Sequence, residues 1–204
     1  MAERVSSPCT VEKLKKIIQD VRPSSSRPPD KTKNRKDPTW SAILQIQAHS
    51  MTNRYNEVYP GIFLGDHSLA KNKEELVSLG ITHLLNAAEG TKFNQISTNQ
   101  EYYQDVNIKY FGIHGQDVMT FKLSKYFKEA ADFIDECLKS GGKIYVHCFE
   151  GVSRSATLVT SYLMLKQGQT AVDALTLLRQ KREVMPNTGF MKQLCELDEE
   201  LRVH

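Results

Sequence analysis

From Tyr55 onward, short β-rich runs alternate with longer stretches of helical spacing, a pattern that restricts the chain to an α/β fold on a largely parallel twisted sheet flanked by helices. The expected strands are 62–64, 82–86, 108–112 and 143–147. The expected helices are 70–79, 122–139, 154–167, 170–182 and 188–202, with Gly80, the Gly141-Gly142 pair and Gly168 closing three of them and Thr170 opening a fourth. Residues 87–107 fit neither template and are read as irregular. The body therefore covers 55–204, and residues 1–54 form an N-terminal extension.

Within the extension, TVEKLKKIIQDV places Val11, Leu14, Ile17, Ile18 and Val21 on one helical stripe behind a Thr10 N-cap. That stripe needs another surface to cover it. Residues 22–38 combine four prolines, a serine run and six basic residues, the composition of a solvated linker, and a weaker helical pattern follows from Trp40 to about Met51. The net charge of +3 is unevenly placed: residues 1–40 carry +5 and residues 41–204 carry −2, which argues against a nucleic-acid face on the body. No apolar run has the length of a membrane span, and the start MAERVSSPCT lacks the apolar stretch of a secretory signal. A cytoplasmic or nuclear, reducing compartment is the expectation. Cys9, Cys137, Cys148 and Cys195 show no metal-ligand spacing with the six histidines, so neither a disulfide framework nor a metal site is expected, and no cofactor is.

The chemistry concentrates in Lys143–Leu158, KIYVHCFEGVSRSATL. A β-run ends in His147-Cys148, five residues follow, and Arg154-Ser155 open an amphipathic helix. Strand, tight loop and helix N-terminus converge backbone N–H groups on one point, where the helix dipole adds partial positive charge. Phe149, Glu150, Gly151, Val152 and Ser153 make the cradle, with Gly151 letting the backbone wrap. Such a cradle binds a tetrahedral dianion, and the same field lowers the pKa of the Cys148 thiol at its base, making it a nucleophile. Arg154 can present its planar fork to two phosphoryl oxygens, and Ser155 can donate to the sulfur as it departs. His147 is either a packed core residue or a group that orders the loop.

Phosphoryl transfer to sulfur also needs an acid for the leaving oxygen, which the loop lacks. Asp117, in His114-Gly115-Gln116-Asp117 after the strand 108–112, belongs to a loop at the same carboxyl edge and is the candidate. Locally it reads equally as a turn or cap residue. His49, His67, His83, His114 and His204 read as surface or packing residues.

HCFEGVSRS matches the HCxxGxxR[ST] signature of the cysteine-dependent protein tyrosine phosphatase superfamily, and SRSATLVTSYLM resembles its dual-specificity branch. LGDHSLAKN, LGITHLLNAAEG, HGQDVMTFKLSKYFKEAADFID and RQKREVMPNTGFMKQLCELD resemble the small atypical, VHR-like dual-specificity phosphatases over roughly 55–202, and TVEKLKKII resembles their N-terminal recognition helix. The resemblance implies a protein tyrosine phosphatase-like fold in which Cys148 is the nucleophile, Arg154 the phosphate binder, Asp117 the general acid and Ser155 the group assisting thiolate departure. It also implies that Asn187 braces the loop and that Arg182 holds a second phosphate on bisphosphorylated substrates; a helix C-terminal cation facing the dipole is the other reading of Arg182. Val152 stands where VHR-like enzymes carry tyrosine.

Glu150 in the loop disfavours polyanionic lipid headgroups, so phosphoproteins carrying phosphotyrosine, phosphoserine or phosphothreonine are the expected substrates. Lys33, Arg35 and Lys36 before Leu44 and Ile46 loosely resemble a basic-then-apolar docking motif for MAP kinases; a solvated linker is the alternative reading. A phosphate-binding adaptor without turnover and an RNA 5′-phosphatase are the competing functions.

Overall fold

The computed structural model describes residues 8–24 and 54–203. The weaker helical pattern near Trp40 and the residues of the docking-like motif lie outside them. Five strands form one sheet: β1 (Tyr55–Tyr59), β2 (Ile62–Gly65), β3 (His83–Asn86), β4 (Lys109–Gly112) and β5 (Ile144–His147). Their order is β1-β2-β5-β3-β4, with β1 antiparallel to β2 and all other neighbours parallel.

Every residue of β2, β3 and β5 is buried, as a sheet covered on both faces requires. Ile62, Leu64, Leu85, Ile144 and Val146 enter the larger core, while Phe63, Leu84 and Tyr145 enter the smaller one on the other face. β5 lies in the middle, its last residue level with Gly65 of β2 and with Asn86 of β3. Its carboxyl end, where the signature loop begins, is therefore flanked by two other strand ends. The edge strand β1 was not expected from the sequence: only Val58 of its five residues is buried, too little apolar content to signal a strand.

The helices are α1 (Val11–Asp20), α2 (His67–Ala70), α3 (Lys73–Ser78), α4 (Phe127–Lys139), α5 (Arg154–Gln167), α6 (Ala171–Lys181) and α7 (Thr188–Val203). The single helix expected over 70–79 is two short ones, because the Asn72 side chain accepts from the Glu75 N–H at 3.1 Å and starts a second helix. A 3-10 turn, Leu123–Tyr126, replaces the start of the helix expected from 122. In the segment read as irregular, Glu101–Val106 forms a 3-10 turn.

Two results concern what helices touch. The apolar stripe of α1 is covered by α6 and α7, with Leu14 fully buried. The helix α5 is not amphipathic as expected: eleven of its 14 residues are buried, since other helices surround it. Three of its hydroxyls survive burial by returning hydrogen bonds to the preceding turn: Thr157 donates to the Ser153 carbonyl, Thr160 to Ala156 and Ser161 to Leu158, each at 2.8 Å. No helix among the described residues is long and apolar enough to cross a membrane.

Candidate active site

The strand β5 delivers His147 and Cys148 to the sheet edge, and the backbone then wraps around the cysteine before entering α5. Gly151 makes the wrap possible: its φ is +69°, and a Cβ there would sit 2.2 Å from the Gly65 carbonyl oxygen. The Cys148 side chain, 1% exposed, accepts hydrogen bonds from the Gly151 N–H and the Ser155 hydroxyl, both at 3.3 Å. Burial is the largest influence on this thiol and opposes ionisation. The Arg154 charge, the Ser155 hydroxyl and the N–H groups of Ser155 and Val152 together outweigh it, holding the pKa below its ordinary value. His147 is fully buried; its Nδ1 donates to the Cys148 carbonyl at 3.0 Å, and burial pushes its pKa down to about 4, so the ring is neutral at pH 7.

Arg154, 3% exposed, is anchored from behind. Its Nη1 donates to the Asn94 carbonyl at 2.9 Å and the Gly115 carbonyl at 3.0 Å, while its buried Nε has no hydrogen-bond acceptor among the described residues and lies 3.7 Å from Asp117 Oδ2. The Asn94 carbonyl reaches the guanidinium from a backbone in the left-handed region, φ 59°. Asp117 arrives on the loop after β4, and its Oδ1 accepts from the Ser153 hydroxyl and the Asn187 side-chain amide, both at 2.8 Å. Asn187 also donates its backbone N–H to Ser153 Oγ at 3.2 Å and accepts the Phe190 N–H on Oδ1 at 3.0 Å near the start of α7. Cys148, Arg154, Asp117, Ser153 and Asn187 all line one cleft of about 770 Å³. Ser155 lies fully buried behind the sulfur.

A family model described as dual specificity phosphatase, catalytic domain, matches residues 62–200. The chain belongs to the atypical dual-specificity phosphatases. Dual specificity protein phosphatase 26 of Mus musculus is 46% identical over 151 residues, 74% of this chain and 70% of the relative, and the Homo sapiens protein of that name matches to the same extent. Among solved structures, human DUSP28 superposes with a TM-score of 0.63 at 25% identity, covering 73% of this chain and 95% of its own. DUSP15 gives 0.61 at 32% identity, with 73% and 92% covered.

In this phosphatase the loop residues lie where the sequence puts them, with Glu150 exposed, Phe149 half-buried and Val152 buried at the cleft. Arg182 does not. Its sequence left two readings, a holder of a second phosphate and a helix C-terminal cation; it is 5% exposed and sits behind the loop, donating from Nε to the Gly151 carbonyl at 2.9 Å, from Nη2 to the Glu150 carbonyl at 3.1 Å and from Nη1 to Asn56 Oδ1 at 3.1 Å. A guanidinium spent on loop carbonyls braces the cradle; it is absent from the cleft lining. Sequence reasoning also passed over His67. Its backbone N–H at 3.0 Å and its Nδ1 at 2.9 Å both donate to the Phe149 carbonyl, and its ring stacks on Phe149 with centroids 4.5 Å apart. Nothing local marks it, because its partner is 82 residues away. Finally, Lys15, Ile18 and Gln19 of α1 form part of the cleft wall, so the N-terminal helix belongs to the site as well as to the core.

Proposed function

We propose that this protein phosphatase hydrolyses phosphotyrosine, phosphoserine and phosphothreonine in proteins, in two steps, through a phosphocysteine at Cys148. The observation that carries the reading is a thiol held below its ordinary pKa at the base of the cleft that also contains the Arg154 guanidinium and the Asp117 carboxyl group.

In the first step the Cys148 thiolate attacks phosphorus, and the departing oxygen takes a proton from Asp117. The loop N–H groups and the Arg154 edge not bound to Asn94 and Gly115 face the equatorial oxygens, where charge spreads in the transition state. In the second step Asp117 accepts a proton from water as it attacks the phosphocysteine, and the Ser155 hydroxyl stabilises the departing thiolate. Ser153 and Asn187 are positioning residues for Asp117, and Arg182 and His67 hold the loop.

The exposed Glu150 at the cleft supports phosphoprotein over polyanionic lipid substrates. The basic residues Lys33, Arg35 and Lys36 ahead of Leu44 and Ile46 support MAP kinases as a substrate class. All four cysteines are free thiols, which supports work in a reducing compartment, the cytoplasm or nucleus.

The deciding experiment compares Asp117→Ala with the parent on aryl phosphates of graded leaving-group pKa. Turnover should fall by about 10²-fold or more on poor leaving groups and much less on good ones; equal losses would remove Asp117 from the acid role. Acid-quenched phosphoenzyme should label Cys148, and reduced protein without turnover on any phosphopeptide would leave a phosphate-binding adaptor. Alanine at Lys33, Arg35 and Lys36 together should weaken activity on a phosphorylated MAP kinase and spare a short phosphopeptide.

A further inference from the structure

Arg154 is held by carbonyls from two different loops, Asn94 after β3 and Gly115 after β4. Both loops converge on Asn86, the last residue of β3, which is completely buried and takes no part in the chemistry derived above. Its Oδ1 accepts the Ala88 N–H at 2.9 Å, which fixes the orientation of the side-chain amide. Its Nδ2 then faces acceptors alone: the Ile96 carbonyl at 3.1 Å, the Thr98 hydroxyl at 3.2 Å and the Tyr110 hydroxyl at 3.1 Å. The Tyr110 hydroxyl gives its own proton to the Thr98 carbonyl at 2.6 Å, so it meets Asn86 as an acceptor. One amide thus ties together the two ends of the segment 88–98. Backbone bonds close the same loop, from the Ile96 N–H to the Ala88 carbonyl at 2.7 Å and from the Gly90 N–H to the Ile96 carbonyl at 3.2 Å. Nearer the tip, the Gln95 side chain accepts the Lys92 N–H at 3.0 Å beside the left-handed backbone of Asn94. The main-chain carbonyl of Asn86 serves the second loop, accepting the Ile113 N–H at 2.8 Å two residues before Gly115.

We propose that Asn86 is a positioning residue for Arg154: its side-chain amide keeps the loop 88–98 closed, so that the Asn94 carbonyl holds the guanidinium aimed at the phosphoryl group before substrate arrives. The inference rests on the reading of Arg154 as the group that binds the phosphoryl oxygens. Asn86 itself is absent from the cleft lining and touches no reacting atom. The guanidinium depends on this support, because Nη1 has its two carbonyls while the buried Nε has no hydrogen-bond acceptor among the described residues. An arginine already fixed loses little side-chain freedom when an oxyanion binds, and its donors need no rearrangement as charge develops in the transition state. The acceptor set also selects asparagine over its closest isostere. An aspartate would still accept from the Ala88 N–H, but its second oxygen would turn lone pairs toward the Ile96 carbonyl and the Thr98 and Tyr110 oxygens, and the two ends of the loop would lose their tie.

The test compares Asn86→Asp, Arg154→Lys and the double variant, each in the full chain, by tungstate affinity in calorimetry and by kcat/KM on an aryl phosphate. Tungstate is a tetrahedral dianion whose binding needs no turnover. Asn86→Asp should weaken tungstate binding by about tenfold and lower kcat/KM by a similar factor. In the Arg154→Lys background, where no planar fork remains to be aimed, the same substitution should change either quantity by less than about twofold. A contribution to stability alone does not vanish when the arginine is replaced. Losses that multiply in the double variant overturn the proposal, as does a folded Asn86→Asp protein with the parent's tungstate affinity. Gln95→Ala serves where Asn86→Asp does not fold, because Gln95 is only half-buried and its removal loosens the loop tip without touching the core. It should lower both quantities by about threefold, again only with Arg154 present, and an unchanged tungstate affinity would overturn the proposal. The parent's tungstate affinity in Arg154→Lys itself would remove the phosphate-binding reading of the arginine, and the proposal with it, whereas failure of Asn86→Asp alone leaves that reading intact.

Discussion

The base and the rim of the cleft are built by opposite rules. At the base, His147, Cys148, Arg154 and Ser155 are all buried, and backbone groups from three other segments meet them: Gly65, Asn94 and Gly115 each bring a carbonyl against the loop or its arginine. At the rim, Met119 is 66% exposed and Met185 40%, and Lys15 and Gln19 stand in solvent. Buried polar groups are costly to leave unpaired, so the bonds made by the Cys148 sulfur, the Arg154 Nη1, the His147 Nδ1 and the Ser155 hydroxyl hold the base close to one arrangement, with only His147 Nε2 and Arg154 Nε lacking a partner among its described groups. The rim carries no such constraint. Chemistry is therefore fixed by the base, and selection among phosphoprotein surfaces falls to side chains that cost the fold little to change.

Substitutions at the two levels should separate sharply. The largest effect is expected for Gly151→Ala, whose Cβ would meet the Gly65 carbonyl oxygen at 2.2 Å in a backbone at φ +69°. A loss of about 2–4 kcal/mol in urea unfolding, with kcat/KM down by about 10³-fold, should follow. His147 gives the base its acid sensitivity. Its folded pKa is pushed down to about 4, below its ordinary 6.5, so the unfolded chain binds more protons between those values. Stability is thus complete above the unfolded value and falls by about 3 kcal/mol as the pH drops from about 6.5 to about 4, and His147→Gln should flatten that slope in urea titrations. Ser155→Ala removes a donor to the thiolate, so the Cys148 pKa should rise. The pH at which iodoacetate alkylation sets in should move upward, with turnover falling by about tenfold. At the rim, Met119→Ala and Gln19→Ala should change KM for phosphopeptides by about fivefold or less and leave small aryl phosphates unaffected. A rim substitution that moved the alkylation pH would break the division between the two levels.

What was legible in the sequence follows the same division by range. Strand, loop and helix around Cys148 are consecutive, so the run 143–158 placed the cradle, its cysteine and its arginine together from local pattern alone. The parallel sheet followed from buried apolar runs in β2, β3 and β5. The bracing of the loop was not legible in local pattern, because its contacts join distant segments: Asn187, which meets Asp117 across 70 residues, was reached only through the family resemblance, and Arg182 meets Gly151 across 31. Arg182 carries the charge a phosphate site needs, and only its burial against carbonyls assigns it to the loop's underside. The strand β1 escaped because an edge strand needs few apolar residues. The helix α5 misled because serine and threonine read as a solvent face, whereas here their hydroxyls bond back to the helix.

The close approach of Gly151 to Gly65 has a consequence for how the protein matures. Gly65 ends β2, and the loop can close around Cys148 only after that strand has docked beside β5 from 82 residues away. A nascent or partly folded chain without this pairing lacks the arrangement of N–H groups that activates the sulfur and carries an ordinary thiol, largely protonated at neutral pH. The lowered pKa of the Cys148 thiol thus arrives together with the finished sheet, so the pH at which a mild electrophile begins to alkylate Cys148 should fall as refolding proceeds.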